Sequence, residues 1–303
     1  MLTRDTRGVY IIAATPFAPD GAVDTDSLRR LVQFYIGHGV TGLTILGMMG
    51  EADKLTPEER RLVIDTVMDE AGSLPVVVGV SDPGLDNLRA LGAYAMDKGA
   101  AGLMVAPSKG PAREDRVEGY FHAVCDALPE APIVFQDFPL STGIPVSPHL
   151  IRRLSDAREQ IVMLKHEDWP GLSKISALRG MEDGARRRLS ILCGNGGLYL
   201  PQELARGADG AMTGFAFPEA LVQTVELHHK GDTDAAEDLF DRYLPVLRHE
   251  QQPGFGLALR KHTLMRRGAI ASDTTRAPGP KLTDTDIAEL DRLLGRLETR
   301  LKE

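Results

Sequence analysis

Cysteine is nearly absent. Cys125 and Cys193 are the only two in 303 residues, so neither a disulfide framework nor a cysteine-built zinc site is available. Long apolar runs are missing too: none approaches the roughly 20 residues a membrane helix needs. The apolar stretch inside the opening MLTRDTRGVYIIAATPF spans only about six residues, too short for a secretory core and suited to a buried strand. Basic excess is lacking. With 35 Lys and Arg against 43 Asp and Glu the net charge is −8, which argues against a nucleic-acid partner. These absences leave a reducing cytoplasm as the expected compartment. Lysine is also scarce, nine against 26 arginines, so a lysine at a special position stands out. What is present is ordinary for a globular protein, 43% apolar and 26% charged, in a chain long enough to bury a large core without staples.

Short apolar runs alternate with longer amphipathic ones. The short runs lie at Val9 to Ala14, Leu43 to Leu46, Pro75 to Val80, Leu103 to Ala106, Pro132 to Phe135, Ile161 to Leu164, Ile191 to Cys193 and Ala211 to Thr213. Most are continuous, as in parallel strands covered on both faces. Between them, Thr56-Pro57-Glu58-Glu59 predicts a helix start: Thr56 caps, Pro57 fits the first turn and Glu59 completes a capping box. Gly39, Gly99 and Gly207 recur just before strands, where a glycine ends a helix in the left-handed conformation. Eight such units by about residue 230 predict a (β/α)8 barrel rather than an open doubly wound sheet. The strands then stop. Helices are expected over Thr233 to His249, Phe255 to Arg267 and Thr283 to Lys302, so the chain divides into a barrel over 1–231 and a C-terminal helical subdomain over 232–303.

Active groups in such barrels come from the C-terminal strand ends and the loops after them. Strand two ends in Gly47-Met48-Met49-Gly50-Glu51, strand five in Gln136-Asp137, strand six in Lys165 followed by His166-Glu167-Asp168, strand seven in Gly194-Asn195, and strand eight in Thr213. Lys165 at the mouth of a buried strand can attack a carbonyl to form a Schiff base if its amine is neutral; alternatively it pairs with Asp137, Glu51 or Glu167. The Gly47–Gly50 turn offers backbone N–H groups that could hold a carboxylate, or is a plain connection. His166, Glu167 and Asp168 are adjacent rather than spaced as metal ligands and read as solvated loop residues; no HExxH occurs and no metal is expected. Trp169-Pro170 reads as a helix start, and His228-His229 and His249-Glu250 as surface. Gly37-His38-Gly39-Val40-Thr41-Gly42 matches the dinucleotide fingerprint by letters but precedes a strand, so no nucleotide cofactor is expected.

On these residues the sequence resembles the dihydrodipicolinate synthase and N-acetylneuraminate lyase family along essentially its whole length. Thr15-Pro16-Phe17 matches the family's strand-one motif, Gly47-x-x-Gly50-Glu51 its G-T-T-G-E loop, Asp137-x-Pro139 with Gly143 its Y-N-x-P-x-x-x-G segment, and Lys165 its Schiff-base lysine. The resemblance implies a barrel with C-terminal helices, a homotetramer or dimer, and Schiff-base chemistry on 2-oxo acids such as pyruvate. Departures are equally clear. The relay threonine is Met48, beside Met49. The tyrosine ending strand five is Gln136. The second relay tyrosine falls near Lys109, and the synthase arginine on Ser141. None of the six tyrosines is in register to replace the lost one, and neither glutamine nor methionine can carry a proton. Phe135-Gln136-Asp137-Phe138-Pro139, Gly210 to Gly214 with Phe217-Pro218, His249-Glu250-Gln251 and Arg267 to Ser272 resemble the 2-keto-3-deoxy-L-arabonate dehydratase branch.

The expected activity is therefore a class I lyase acting on a small hydroxylated 2-oxo acid, a dehydratase of 2-keto-3-deoxy sugar acids ahead of a pyruvate-dependent aldolase or a non-catalytic 2-oxo acid-binding homologue. Lys165 is its nucleophile. Gly47, Met48, Met49 and Gly50 would hold the carboxylate, with Gln136, Asp137, Asn195 and Thr213 around the substrate. Asp137 is a candidate proton carrier. A metal-dependent aldolase using Glu51, Asp137 and His166 is a weaker alternative.

Overall fold

A computed structural model describes residues 1–108, 113–168, 171–182 and 188–302. Eight parallel strands close in chain order: β1 Gly8–Ile12, β2 Gly42–Ile45, β3 Val76–Gly79, β4 Gly102–Val105, β5 Ile133–Asp137, β6 Ile161–His166, β7 Ser190–Cys193 and β8 Gly210–Ala211. β8 pairs back onto β1, which an open sheet does not do. The expected (β/α)8 barrel is the observed fold. Around it stand α1 Thr25–Gly37, α2 Pro57–Ala71, α3 Leu85–Asp97, α4 Glu114–Ala127, α5 Pro139–Thr142, α6 Pro148–Ala157, α7 Leu172–Gly180, α8 Leu200–Ala205 and α9 Pro218–His229. Three further helices follow, α10 Thr233–Glu250, α11 Gly256–Arg266 and α12 Asp284–Arg300; α10 packs on α8 and α9, and α12 on α10. No helix among the described residues is long and apolar enough to cross a membrane.

The continuous apolar runs divide by the period of the strand. Ile11, Leu103, Ile133, Phe135, Leu164, Ile191 and Ala211 join the layer between sheet and helices. Tyr10, Ile12, Val77, Met104, Val134, Met163, Leu192 and Met212 fill the barrel interior. Alternate residues face opposite sides, so both faces need apolar chains and the sequence shows no alternation. In the outer layer Phe135 stacks on Phe121 of α4 with ring centroids 4.2 Å apart.

β6 carries one irregularity. Ile133 pairs with Ile161 but Val134 pairs with Met163, so Val162 is an extra residue in β6. Beyond it Phe135 meets Leu164 and Gln136 meets Lys165. Because strand side chains have a period of two, removing that one residue would turn Lys165 from the barrel interior to the helix layer.

Helix ends follow the sequence cues. The Thr56 hydroxyl accepts from the Glu59 N–H and the Glu59 carboxylate from the Thr56 N–H, a complete capping box. Gly39, Gly99 and Gly207 have φ of +76°, +92° and +95°, the left-handed stops the repeat requires. Cys125 on α4 and Cys193 at the end of β7 are buried. Burial, ahead of nearby charges, pushes the Cys125 thiol up to about 11 and Cys193 well above its ordinary value.

Two outcomes follow from this packing. Thr56→Ala should lower unfolding free energy by about 1 kcal/mol in denaturant titration, with activity unchanged. At pH 8 the folded protein should show no rapid reaction with a thiol reagent, whereas both cysteines should react in denaturant; fast modification of the native chain would contradict the buried placement.

Candidate active site

Gln136 lies two residues past inward-facing Val134, and Lys165 two past Met163, so both project into the barrel mouth. Glu167 continues that spacing. The Lys165 ammonium stands 2.9 Å from Glu167 Oε2, and Gln136 Nε2 donates to the same oxygen at 2.8 Å. Lys165 and Glu167 are only 5% and 6% exposed, so the pair is largely removed from water. Of the three carboxylates the sequence left open as partners for Lys165, the structure selects Glu167.

The seat of Glu167 is built by the strand-seven loop. Asn195 Nδ2 donates to the Glu167 carbonyl at 2.9 Å, and the Glu167 N–H donates to the Asp137 carbonyl at 2.9 Å. A Cβ on Gly194 would lie 2.0 Å from Glu167 Cγ, so this position must be glycine for the carboxylate to reach Lys165.

Asp137 goes elsewhere. It follows Gln136 and therefore faces the helices, where Lys174 Nζ donates to its Oδ2 at 2.7 Å and to the Val146 carbonyl at 2.6 Å. Lys174 also pairs with Asp168 at 2.6 Å. The expectation that Asp137 meets substrate or carries its proton is corrected: the period-two strand turns it into a buried ion pair outside the barrel. His166 faces outward as well, its Nε2 3.0 Å from the Gly171 carbonyl. His166 and Glu167 are thus buried, against the expectation of a solvated loop. Among the described residues no group of three or more His, Cys, Asp and Glu is placed to hold a metal. Glu250, expected at the surface, is buried against Arg260 and accepts from the Ala216 N–H; burial pushes its carboxyl up, against the pull of Arg260.

The strand-two turn forms the opposite side of the mouth. Gly50 and Glu51 N–H groups donate back to Gly47 and Met48 carbonyls at 2.9 and 3.0 Å, while the Met48 and Met49 N–H groups take no part in those turn bonds. Thr15 Oγ1 pins the turn by donating to the Gly50 carbonyl at 2.6 Å, which gives the strand-one motif a physical role. Met49 packs on the barrel interior, and Met48 is 42% exposed with its sulfur 3.1 Å from Ser141 Oγ.

Between these sides opens a cavity of about 610 Å3 whose wall includes Gly47, Met48, Met104, Gln136, Ser141 and Tyr120. Lys165 and Glu167 do not line this cavity themselves; Gln136 does, and it bonds Glu167. Thr213 and Asn195 are not in this cavity either. Thr213 Oγ1 accepts from the Gly196 N–H at 2.7 Å, fixing the loop that seats Glu167, and Asn195 borders a separate small cleft with Asp168, Leu198 and Glu203. The Lys109 and Trp169-Pro170 expectations lie outside the described residues.

Two groups escaped the sequence reading. Glu167 was considered only as an ion-pair partner or metal ligand; its signal is the two-residue spacing from Lys165. Tyr120, from α4, reaches the cavity although it aligns with no strand end, and its hydroxyl stands 3.4 Å from the Asp82 carbonyl. Burial first, and Asp82 second, push that phenol up to about 12, so it stays protonated at neutral pH.

Comparisons with known proteins agree with this geometry. Residues 5–297 match the model of the dihydrodipicolinate synthetase family. L-2-keto-3-deoxyarabonate dehydratase of Azospirillum brasilense is 31% identical over 305 residues, covering 96% of this chain and 94% of that protein. A crystal structure of dihydrodipicolinate synthase from Rhodopseudomonas palustris superposes with a TM-score of 0.95 at 46% identity, covering 97% of this chain and 99% of the other. YagE, a prophage protein of the same family from E. coli K12 solved in complex with pyruvate, superposes with a TM-score of 0.88 at 26% identity, covering 96% and 98%. The chain belongs to the dihydrodipicolinate synthetase family and is an enzyme, a lyase of that family.

Proposed function

We propose that the protein is a Schiff-base dehydratase of a small 2-keto-3-deoxy sugar acid. The observation that carries this reading is the buried Lys165–Glu167 pair, a nucleophilic amine and a carboxylate 2.9 Å apart at the barrel mouth. Glu167 takes the ammonium proton and the free amine attacks the substrate C2 carbonyl; Glu167 then returns that proton to the carbinolamine hydroxyl, which leaves as water, so that an iminium forms on Lys165 and Glu167 is again a carboxylate. The iminium withdraws electrons from C3, and the Glu167 carboxylate removes the C3 proton to give an enamine. The enamine pair then expels the C4 hydroxyl, which leaves as water with the proton Glu167 returns. Loss of a C5 proton and protonation at C3 convert the conjugated iminium to an enol that tautomerises to the aldehyde, and hydrolysis of the iminium then releases the semialdehyde and restores Lys165. Gln136 shares the Glu167 oxygen and must swing off it as substrate enters from the cavity wall.

This assignment gives the carboxylate the proton work that the missing strand-five tyrosine performs in the family. The Gly47–Gly50 turn borders the cavity through Gly47 and Met48, and its backbone N–H groups would take the substrate carboxylate. The similarity to the Azospirillum dehydratase supports dehydration, as does the Phe135 to Pro139 segment. The YagE complex supports a 2-oxo acid at this site.

Borohydride reduction in the presence of pyruvate should add the mass of the reduced adduct to the Lys165 peptide, and Lys165→Ala should show none. Glu167→Gln should retain an adduct at slower rate and lose about a hundred- to ten-thousand-fold in turnover, the range a positioned acid–base group contributes; wild-type turnover in that variant would remove Glu167 from the mechanism. Over a panel of 3-deoxy-2-oxo acids, semialdehyde should accumulate. Pyruvate plus an aldehyde as the only products would establish aldol cleavage instead.

A further inference from the structure

The strand-two turn is anchored by a residue far away in the chain. Glu51, which closes the turn, is a non-glycine residue in the left-handed region with φ of +53°, and Leu46 before the turn has φ of +54°. Two such residues bracketing four positions mark a backbone that its surroundings must hold in place. The holding groups are visible. Lys261 of α11, 210 positions away, is fully buried and donates to Glu51 Oε1 at 2.6 Å and to the Thr274 carbonyl at 2.9 Å. The other oxygen, Oε2, accepts from Lys54 Nζ at 2.8 Å and from the Arg276 N–H at 3.0 Å. Phe17 lies between two of the cations, its ring 4.4 Å from Lys261 Nζ and 4.4 Å from the Arg276 guanidinium. Arg276 then clamps Glu59 of α2 through two bonds of 2.7 Å. Every charge in this cluster is answered, and none of its members is needed to close the barrel.

We propose that Lys261 is a positioning residue for substrate binding: through Glu51 the C-terminal helix α11 fixes the Gly47–Gly50 turn in the conformation that receives the substrate carboxylate. The inference rests on the proposed use of that turn and of Lys165. Its physical basis is reach and rigidity. An ammonium with no exposure, held by a carboxylate and a carbonyl, cannot rotate to other partners, so the Glu51 backbone that follows the turn is fixed with it. The backbone N–H groups of the turn are then held in place, and binding need not order them. Lys261 does not itself line the cavity but bonds Glu51, which does, so its effect should fall on binding and not on the covalent step.

The test is the pyruvate dependence of borohydride trapping on Lys165, measured with thermal melting on the same samples. In Lys261→Met the pyruvate concentration giving half-maximal trapping should rise tenfold or more, while the trapping rate at saturation changes less than about twofold. Arg276→Met, which frees the segment whose N–H donates to the other Glu51 oxygen and which does not itself line the cavity, should raise the same concentration about threefold and keeps the test decisive where loss of the buried lysine prevents folding. A lowered melting temperature with unchanged half-saturation in either folded variant would reduce the cluster to a stabilising one and overturn the proposal. Absence of any wild-type adduct on Lys165 would instead sink the Schiff-base reading itself, and a wild-type adduct with unshifted variants would leave that reading standing without the role for Lys261.

Discussion

The site depends on a single extra residue in β6. A closed barrel gives every strand one face toward the interior and one toward the helices, and regular strand geometry alternates them. Val162 breaks the count once, where Ile133 still meets Ile161 but Val134 meets Met163. Everything C-terminal to it is shifted by one, so Lys165 and Glu167 face the mouth and His166 faces out. The bulge also aligns Lys165 with Gln136, which places the amide where it shares Glu167 with the ammonium.

A buried ion pair at that position adds little to stability, because the cost of desolvating two charges offsets most of their attraction. The arrangement makes chemical sense instead. A carboxylate beside an amine can take its proton, and in the proposed reaction the same carboxylate would lie next to C3 once the amine had become an iminium. Gly194 and Asn195 serve this pair from the neighbouring strand, one by leaving room for the Glu167 side chain and the other by holding its carbonyl. Asp137, by contrast, is committed to Lys174 in the outer layer, and its carboxylate fixes α7 to β5.

The two sides of the mouth are secured by different means. The Lys165 side is held by strand pairing on both edges of β6. The turn side follows a short strand and contains left-handed residues, and it draws its rigidity from α11 and the segment around Arg276. The C-terminal helices are therefore joined to the site by buried charge as well as to the barrel wall by apolar packing. This linkage explains why Glu51 is among the least exposed acidic residues of the chain although it lies at a loop end.

Much of this was legible in the sequence, and the physical reason is locality. Strand positions follow from apolar runs, the α2 start from Thr56 and Glu59, and the helix stops from Gly39, Gly99 and Gly207, because each depends on residues within one or two turns. The family motifs pointed to Lys165 and to the Gly47–Glu51 turn for the same reason. The facing of Gln136 against Asp137 was not legible, nor was which of Asp137, Glu51 and Glu167 pairs with Lys165, because a continuous apolar strand gives no sign of which face is which and the Val162 bulge is set by pairing with β5. Glu250 and Lys261 read as ordinary charged helix residues, and only the packing of α10 and α11 against the barrel made them buried. The sequence alone determined the barrel, the order of its elements and the loops that carry chemistry. The tertiary structure decided which side chains meet, since contacts such as Lys261 with Glu51 join segments that no local pattern connects.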